Sequence, residues 1–313
     1  NLDIYMKISG TFCAALTPLN KDFSINHEVY FEHCKRMLLH GSDGIAIFGS
    51  TGEANLLSLD SKMEAMQSLV DRGFNPSKLL PGTGMSSMNE SIKLSNLAVK
   101  LQMAGALILP SYYYNNPADQ GVIDYYTNII ESVNDEKFKI LLYHIPQISG
   151  VPIKQNIIEA LVKKYPDNIV GIKDSSNDLE NMINTIKNFP DFCVFSGSDS
   201  LALPVMQGGG AGAITATANI SVKLLSFIVK FAKNSDRSQE LKKAHILQDS
   251  IRKIVFSQEQ ISFMKAIMRI NTKDSIWENI MPPLVSLNDF NNNNNIKKIQ
   301  ELLIEMNDLS TNF

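Results

Sequence analysis

The sequence predicts an α/β fold, a (β/α)8 barrel with a C-terminal helical appendage, on three observations. Short apolar runs alternate with amphipathic segments eight times between Thr11 and Lys233. The runs are nearly continuous in apolar character, as parallel strands covered on both faces are. Gly41, Gly73 and Gly105, which close the first three helical segments, stand 32 residues apart, a repeat of one strand plus one helix. A doubly wound open sheet is the competing architecture, but it lacks a dinucleotide-binding glycine fingerprint.

Thr11-Phe-Cys-Ala-Ala-Leu16 is the first strand, and the helix after it runs from an Asn26 N-cap to Gly41. Gly44-Ile-Ala-Ile-Phe48 is the second strand, with a helix capped by Ser58. Lys78-Leu-Leu-Pro-Gly82 is the third, Ala106-Leu-Ile-Leu109 the fourth and Lys139-Ile-Leu-Leu-Tyr143 the fifth. The sixth is Asn168-Ile-Val-Gly-Ile-Lys-Asp174, where β-branched residues and brevity favour a strand over a helix. Phe192-Cys-Val-Phe-Ser196 and Gly212-Ala-Ile-Thr215 complete the ring. Residues 1–235 therefore read as the barrel domain. Residues 236–313 read as a helical region with helices near Gln239–Ser257, Gln260–Arg269 and Ile296–Met306, an oligomer or packing element.

With 313 residues, 44% hydrophobic and 19% charged, the chain can bury a large core. A formal net charge of -3 gives no electrostatic case for nucleic acid or an anionic membrane. Cys13, Cys34 and Cys193 lie far apart, without metal or disulfide spacing, and suit a reducing compartment. No apolar run is long enough for a membrane helix, and the start lacks signal-peptide shape, so a cytoplasmic protein is expected. Met6 is a candidate native start.

Barrels of this kind carry chemistry at the carboxyl ends of their strands. The residues there are Gly49-Ser-Thr-Gly-Glu53, Ser111-Tyr-Tyr-Tyr-Asn115, Tyr143-His144, Lys173-Asp174, Ser196-Gly-Ser-Asp199 and Thr215. Lys173 ends a buried strand, where desolvation disfavours the ammonium and leaves a free amine able to attack a carbonyl. Read alone, it is more readily a strand-end lysine reaching for water, and the residues around it shift that reading. Beside such an amine, Tyr143 can shuttle protons. The Gly49–Glu53 loop suits a small carboxylate through its glycines and hydroxyls, and Glu53 is expected to satisfy N–H groups of the turn. Tyr112, Tyr113 and Tyr114 read equally as an aromatic interface patch. Gly208-Gly-Gly-Ala-Gly212 reads as close packing at the barrel's bottom. His33 and His40 lack a carboxylate pattern for zinc, and His144, on the opposite side of its strand from Tyr143, reads as packing.

With these motifs in order, and Tyr113-Tyr-Asn-Asn-Pro117 among them, the chain resembles the dihydrodipicolinate synthase / N-acetylneuraminate lyase superfamily from about Gly10 to Leu287. The resemblance implies a pyruvate-dependent class I aldolase in which Lys173 forms an imine with pyruvate or a 2-keto acid. It implies Tyr143 as general acid/base, with Ser50 and a neighbouring subunit's copy of Tyr114 completing a proton relay. Thr51, with Gly49 beside it, would take the keto-acid carboxylate near the Ile214 carbonyl, and Asp199 and Ile148 would meet the rest of the substrate. It further implies a homotetramer or dimer and neither metal nor organic cofactor.

The departures bear on substrate. Ile148 stands where the synthases carry an arginine for the second substrate's carboxylate. Ser200 stands where sialic acid lyases have a glutamate. The expected substrates are 2-keto-3-deoxy sugar acids or related hydroxy-keto acids. The alternatives are 4-hydroxy-tetrahydrodipicolinate synthase chemistry, a dehydratase with the same imine, and a non-catalytic keto-acid-binding regulatory protein.

Overall fold

The computed structural model describes residues 7–287 and 290–310, so the predicted start at Met6 lies outside the described residues. The strands are β1 (Gly10–Ala14), β2 (Gly44–Ala46), β3 (Ala106–Ile108), β4 (Ile140–His144), β5 (Ile169–Asp174), β6 (Cys193–Ser196) and β7 (Gly212–Thr215). They form one parallel sheet in the order β2-β1-β7-β6-β5-β4-β3. The predicted third strand is the one that differs. Residues 79–83 bridge β2 and β3 without forming a regular ladder, because Pro81 has no N–H to give. Leu80 N donates to Ile45 O (2.9 Å) and Gly82 N to Ile47 O (2.7 Å) on one side. On the other, Leu107 N donates to Pro81 O (2.8 Å) and Thr83 N to Leu107 O (3.1 Å). The ring closes through this segment.

The helices around the sheet are α1 (His27–Leu39), α2 (Leu59–Asp71), α3 (Met88–Lys100), α4 (Asp119–Val133), the short α5 (Pro146–Ser149), α6 (Gln155–Lys164), α7 (Leu179–Asn188), α8 (Asp199–Gln207) and α9 (Ala218–Phe231). Several begin on side-chain caps, as the sequence suggests. Asn26 accepts from Val29 N, Ser58 from Ser61 N and Asp178 from Asn181 N. The glycine repeat holds at Gly41 and Gly73, which take positive φ just past α1 and α2. After α3 that role falls to Gln102, and Gly105 instead lies where a Cβ would meet Lys139 O at 2.7 Å.

The inside of the ring is filled by Phe12, Ala46, Leu80, Leu107, Leu141, Phe195 and Ile214 among others, with the Phe12 and Phe195 rings edge to face at 5.9 Å. Two glycines let neighbouring strands close on this layer. A Cβ on Gly212 would lie 1.9 Å from Gly10 O, consistent with the expected tight packing of that segment. A Cβ on Gly171 would lie 2.6 Å from Leu141 Cδ2.

Beyond the barrel, α10 (Ser238–Phe256), α11 (Gln260–Thr272) and α12 (Asn294–Ser310) complete the chain. One apolar cluster joins Leu247, Ile251, Phe263 and Trp277 to Cys13, Ile45 and Leu224. The C-terminal helices thus share the barrel's outer core.

Candidate active site

Strand register brings the key side chains together. Tyr143 on β4 pairs with Lys173 on β5, and His144 pairs with Asp174. Alternation then sends the first pair to one face and the second to the other. His144 accepts a hydrogen bond at Nδ1 from Ile153 N (3.0 Å), and Asp174 accepts from Ser176 and from Asn181. These two brace the outer layer, and burial lowers the pKa of His144.

On the inner face, Lys173 is 5% exposed and its Nζ lies 4.3 Å from the centroid of the Tyr143 ring. No carboxylate lies within 4.0 Å of that ammonium group among the described residues. The Tyr143 hydroxyl is 3.4 Å from Ser50 Oγ. Lys173, Tyr143, Ser50, Thr51, Ile148 and Ile214 all line one cavity of about 460 Å³, a size suited to a small metabolite.

The Ser50–Gly52 turn is held from both ends. Gly52 N donates to Gly49 O (3.0 Å), and Thr17 Oγ1 donates to Gly52 O (2.8 Å). Phe48 and Glu53, flanking the turn, both take φ of 58°, a left-handed conformation uncommon for non-glycine residues. Glu53 is structural, but among the described residues its carboxylate does not take up N–H groups of its own turn as expected, and its partners are distant in sequence. It forms a buried ion pair with Lys265 of α11 and accepts from Met281 N at 2.7 Å. The C-terminal region therefore pins the turn that carries Ser50 and Thr51.

Three residues predicted for the site are not among the side chains that line this cavity. Gly49 caps the turn from outside the cavity lining. Tyr114 is 80% exposed, its ring 5.3 Å from that of the equally exposed Tyr113. Asp199 is buried behind the cavity wall. Its Oδ1 accepts from Thr215 Oγ1 (2.7 Å) and Gln248 Nε2 (2.9 Å), so its hydrogen-bonding capacity is directed at β7 and α10. His33 is buried between Asn219 and Arg36, and burial together with the Arg36 charge pushes it down to about 3. Among the described residues, no group of three His, Cys, Asp or Glu side chains could hold a metal ion.

The chain matches the model of the dihydrodipicolinate synthetase family over residues 7–302. It is 32% identical over 259 residues to the 4-hydroxy-tetrahydrodipicolinate synthase of Helicobacter acinonychis, covering 80% of this chain and 82% of that one. The chain belongs to the dihydrodipicolinate synthetase family. It is accordingly a pyruvate-dependent class I aldolase, a lyase. The fold agrees with solved structures at 24% identity. The 4-hydroxy-tetrahydrodipicolinate synthase of Methylacidiphilum fumariolicum superposes with a TM-score of 0.86, covering 98% of this chain and 99% of that one. N-acetylneuraminate lyase from Fusobacterium nucleatum gives 0.84, covering 96% and 99%.

Within this dihydrodipicolinate synthetase family member, the side chains that sequence reasoning missed come from α10, α11 and the link between them. Arg252, Phe256, Gln258 and Gln260 line the same cavity. A signal was available. Gln248 and Arg252 interrupt the 3–4 spacing of Leu247, Ile251 and Val255 on α10, placing polar groups on or beside a buried face. Periodicity alone does not say that this face closes over the barrel's mouth.

Proposed function

We propose that Lys173 condenses with pyruvate or a 2-keto acid, and that the enzyme cleaves or forms a carbon–carbon bond in 2-keto-3-deoxy sugar acids or related hydroxy-keto acids. The convergence of a buried amine with no ion-pair partner among the described residues, the Tyr143 phenol and the Ser50 hydroxyl on one cavity carries this reading. In the cleavage direction the amine attacks C2 of the keto acid, water leaves, and a protonated imine remains. Tyr143 takes the proton from the C4 hydroxyl as the C3–C4 bond breaks. The electron pair of that bond flows toward the imine nitrogen, giving an enamine and a free aldehyde. Protonation at C3 and hydrolysis then release pyruvate and the lysine. Thr51 holds the keto-acid carboxylate, Ser50 passes the Tyr143 proton outward, and the Ile214 carbonyl borders the bound acid.

Replacing Tyr143 with phenylalanine is expected to lower kcat by roughly 10²-fold while borohydride still traps the pyruvate imine. Loss of trapping together with turnover would assign Tyr143 to imine formation rather than to bond cleavage.

The exposure of Tyr113 and Tyr114 supports a cytoplasmic homotetramer in which Tyr114 of one subunit completes the relay of the next. The three unpaired, buried cysteines suit the reducing cytoplasm. Among the described residues, no helix is long and apolar enough to cross a membrane. Tyr114→Phe is expected to reduce kcat about tenfold with the oligomer intact, and Tyr114→Ala to weaken assembly as read by light scattering.

A second reading, 4-hydroxy-tetrahydrodipicolinate synthase, is favoured by the Helicobacter relative. Ile148, 67% exposed at the cavity, has no donors to pair with a carboxylate, so on this reading the second substrate's carboxylate must be held from an element other than the segment after β4. Sialic acid cleavage is disfavoured because the Ser200 hydroxyl is spent on Asp249. Release of pyruvate from 2-keto-3-deoxygluconate, measured against pyruvate-dependent consumption of aspartate semialdehyde, decides between the first two.

A further inference from the structure

The cavity is lined by a second basic side chain whose position no site motif of the barrel strands supplies. Arg252 reaches it from α10, and its side chain is 15% exposed. Its guanidinium lies 4.0 Å from the centroid of the Phe256 ring, a stacking that fixes the plane of the group. Of its five N–H donors, Nη2 makes one long hydrogen bond to Asn177 Oδ1 at 3.4 Å. Nε is buried and has no hydrogen-bond acceptor among the described residues. The nearest carboxylate oxygen, Asp199 Oδ2, is 3.8 Å from Nε, inside ion-pair range and outside hydrogen-bond range. Asp199 instead gives its other oxygen to Thr215 and Gln248.

A half-satisfied guanidinium facing a cavity can still offer paired, charge-assisted donors to an anion. Pyruvate's own carboxylate does not need it, because that group sits by the Ser50–Thr51 turn once the imine has formed. The anion must then belong to the part of the substrate that leaves as aldehyde. Glu259 also lines the cavity, but its exposure to solvent screens it.

We propose that Arg252 is the specificity-determining residue of this enzyme, and that it selects aldehydes carrying an anionic group, carboxylate or phosphate, at the end remote from the carbonyl. Arg252 thereby does from α10 what Ile148 cannot do from the segment after β4. The inference rests on the imine chemistry proposed above.

The test measures kcat/KM for condensation of pyruvate with three aldehydes: glyceraldehyde, glyceraldehyde 3-phosphate and tartronate semialdehyde. Wild-type enzyme is expected to prefer at least one anionic aldehyde over glyceraldehyde by tenfold or more. Comparing the phosphate with the carboxylate then identifies the source of the anion. Arg252→Gln is expected to lower kcat/KM for the preferred anionic aldehyde about 100-fold, with glyceraldehyde changed less than threefold and Arg252→Lys restoring part of the preference. Equal losses on charged and neutral aldehydes would make Arg252 only the counterion of Asp199 and overturn the proposal. So would a wild-type enzyme indifferent to the tail's charge, or one that condenses only the neutral aldehyde. Borohydride trapping with pyruvate alone separates the two levels. A labelled Lys173 without anion preference defeats only the role of Arg252, whereas no labelling in the wild type defeats the imine reading and this inference with it.

Discussion

Lys173→Ala is expected to lower kcat/KM by at least about 10⁴-fold and to abolish borohydride labelling by pyruvate, because among the described residues no other lysine lines the cavity to supply the proposed imine nitrogen. Stability should move the other way. Lys173 is buried at the inner face of β5 without an ion-pair partner among the described residues, and burying a polar group without a compensating partner costs stability. An apolar side chain of similar length removes that cost, and Lys173→Met is expected to stabilise the fold by about 1 kcal/mol while eliminating turnover. Thermal unfolding of the two proteins checks this directly. A Lys173→Met enzyme that keeps measurable aldolase rates would end the imine mechanism. One that loses both stability and activity would show Lys173 to be a structural residue whose removal unfolds the site.

The part of the site legible in the sequence is the part carried by strand ends. Lys173 and Tyr143 both terminate apolar runs, and a parallel register puts them side by side on the inner face. Burial was less informative than position. Lys62 is as deeply buried, donates to Ala54 O at 3.1 Å, and is pushed down to about 8 by desolvation. In the sequence it is an ordinary polar position on amphipathic α2, and it does not line the cavity. What distinguishes Lys173 is the opening beside it, which no local pattern encodes. The third strand was legible as an apolar run, but Pro81 reduced its ladder to a pair of bridges. Arg252 and the partners of Glu53 were illegible for a single reason. Both contacts span large sequence separations, between turns of the barrel and helices whose docking depends on the tertiary core.

Glu53→Gln is expected to destabilise the protein by about 3 kcal/mol, since it leaves the Lys265 ammonium buried without its countercharge. The two side chains are 0% and 1% exposed, so water cannot replace the lost partner. The remaining contact of Lys265, Asn279 O at 3.0 Å, offers one neutral acceptor for three donors. For a chain of this size the midpoint of thermal unfolding should fall by roughly 6 °C or more. Burial already pushes Lys265 below its ordinary value of 10.5, and Glu53 offsets part of that push. The folded state therefore binds fewer protons than the unfolded state between the lowered value and 10.5, and stability rises with pH across that window. Removing the carboxylate lowers Lys265 further and widens the window downward. The stability difference between Glu53→Gln and wild type should accordingly be largest near neutral pH and shrink as pH approaches 10.5. Lys265→Met added to Glu53→Gln should recover more than half of the loss, because the double variant buries no unpaired charge. A pH-independent difference, or a double variant no more stable than Glu53→Gln alone, would show that the ion pair is not what holds α11 to the turn. Turnover gives the functional reading of the same bond. Ser50 and Thr51 sit on the turn that Glu53 ends, so kcat should fall in Glu53→Gln even at temperatures where the protein remains folded.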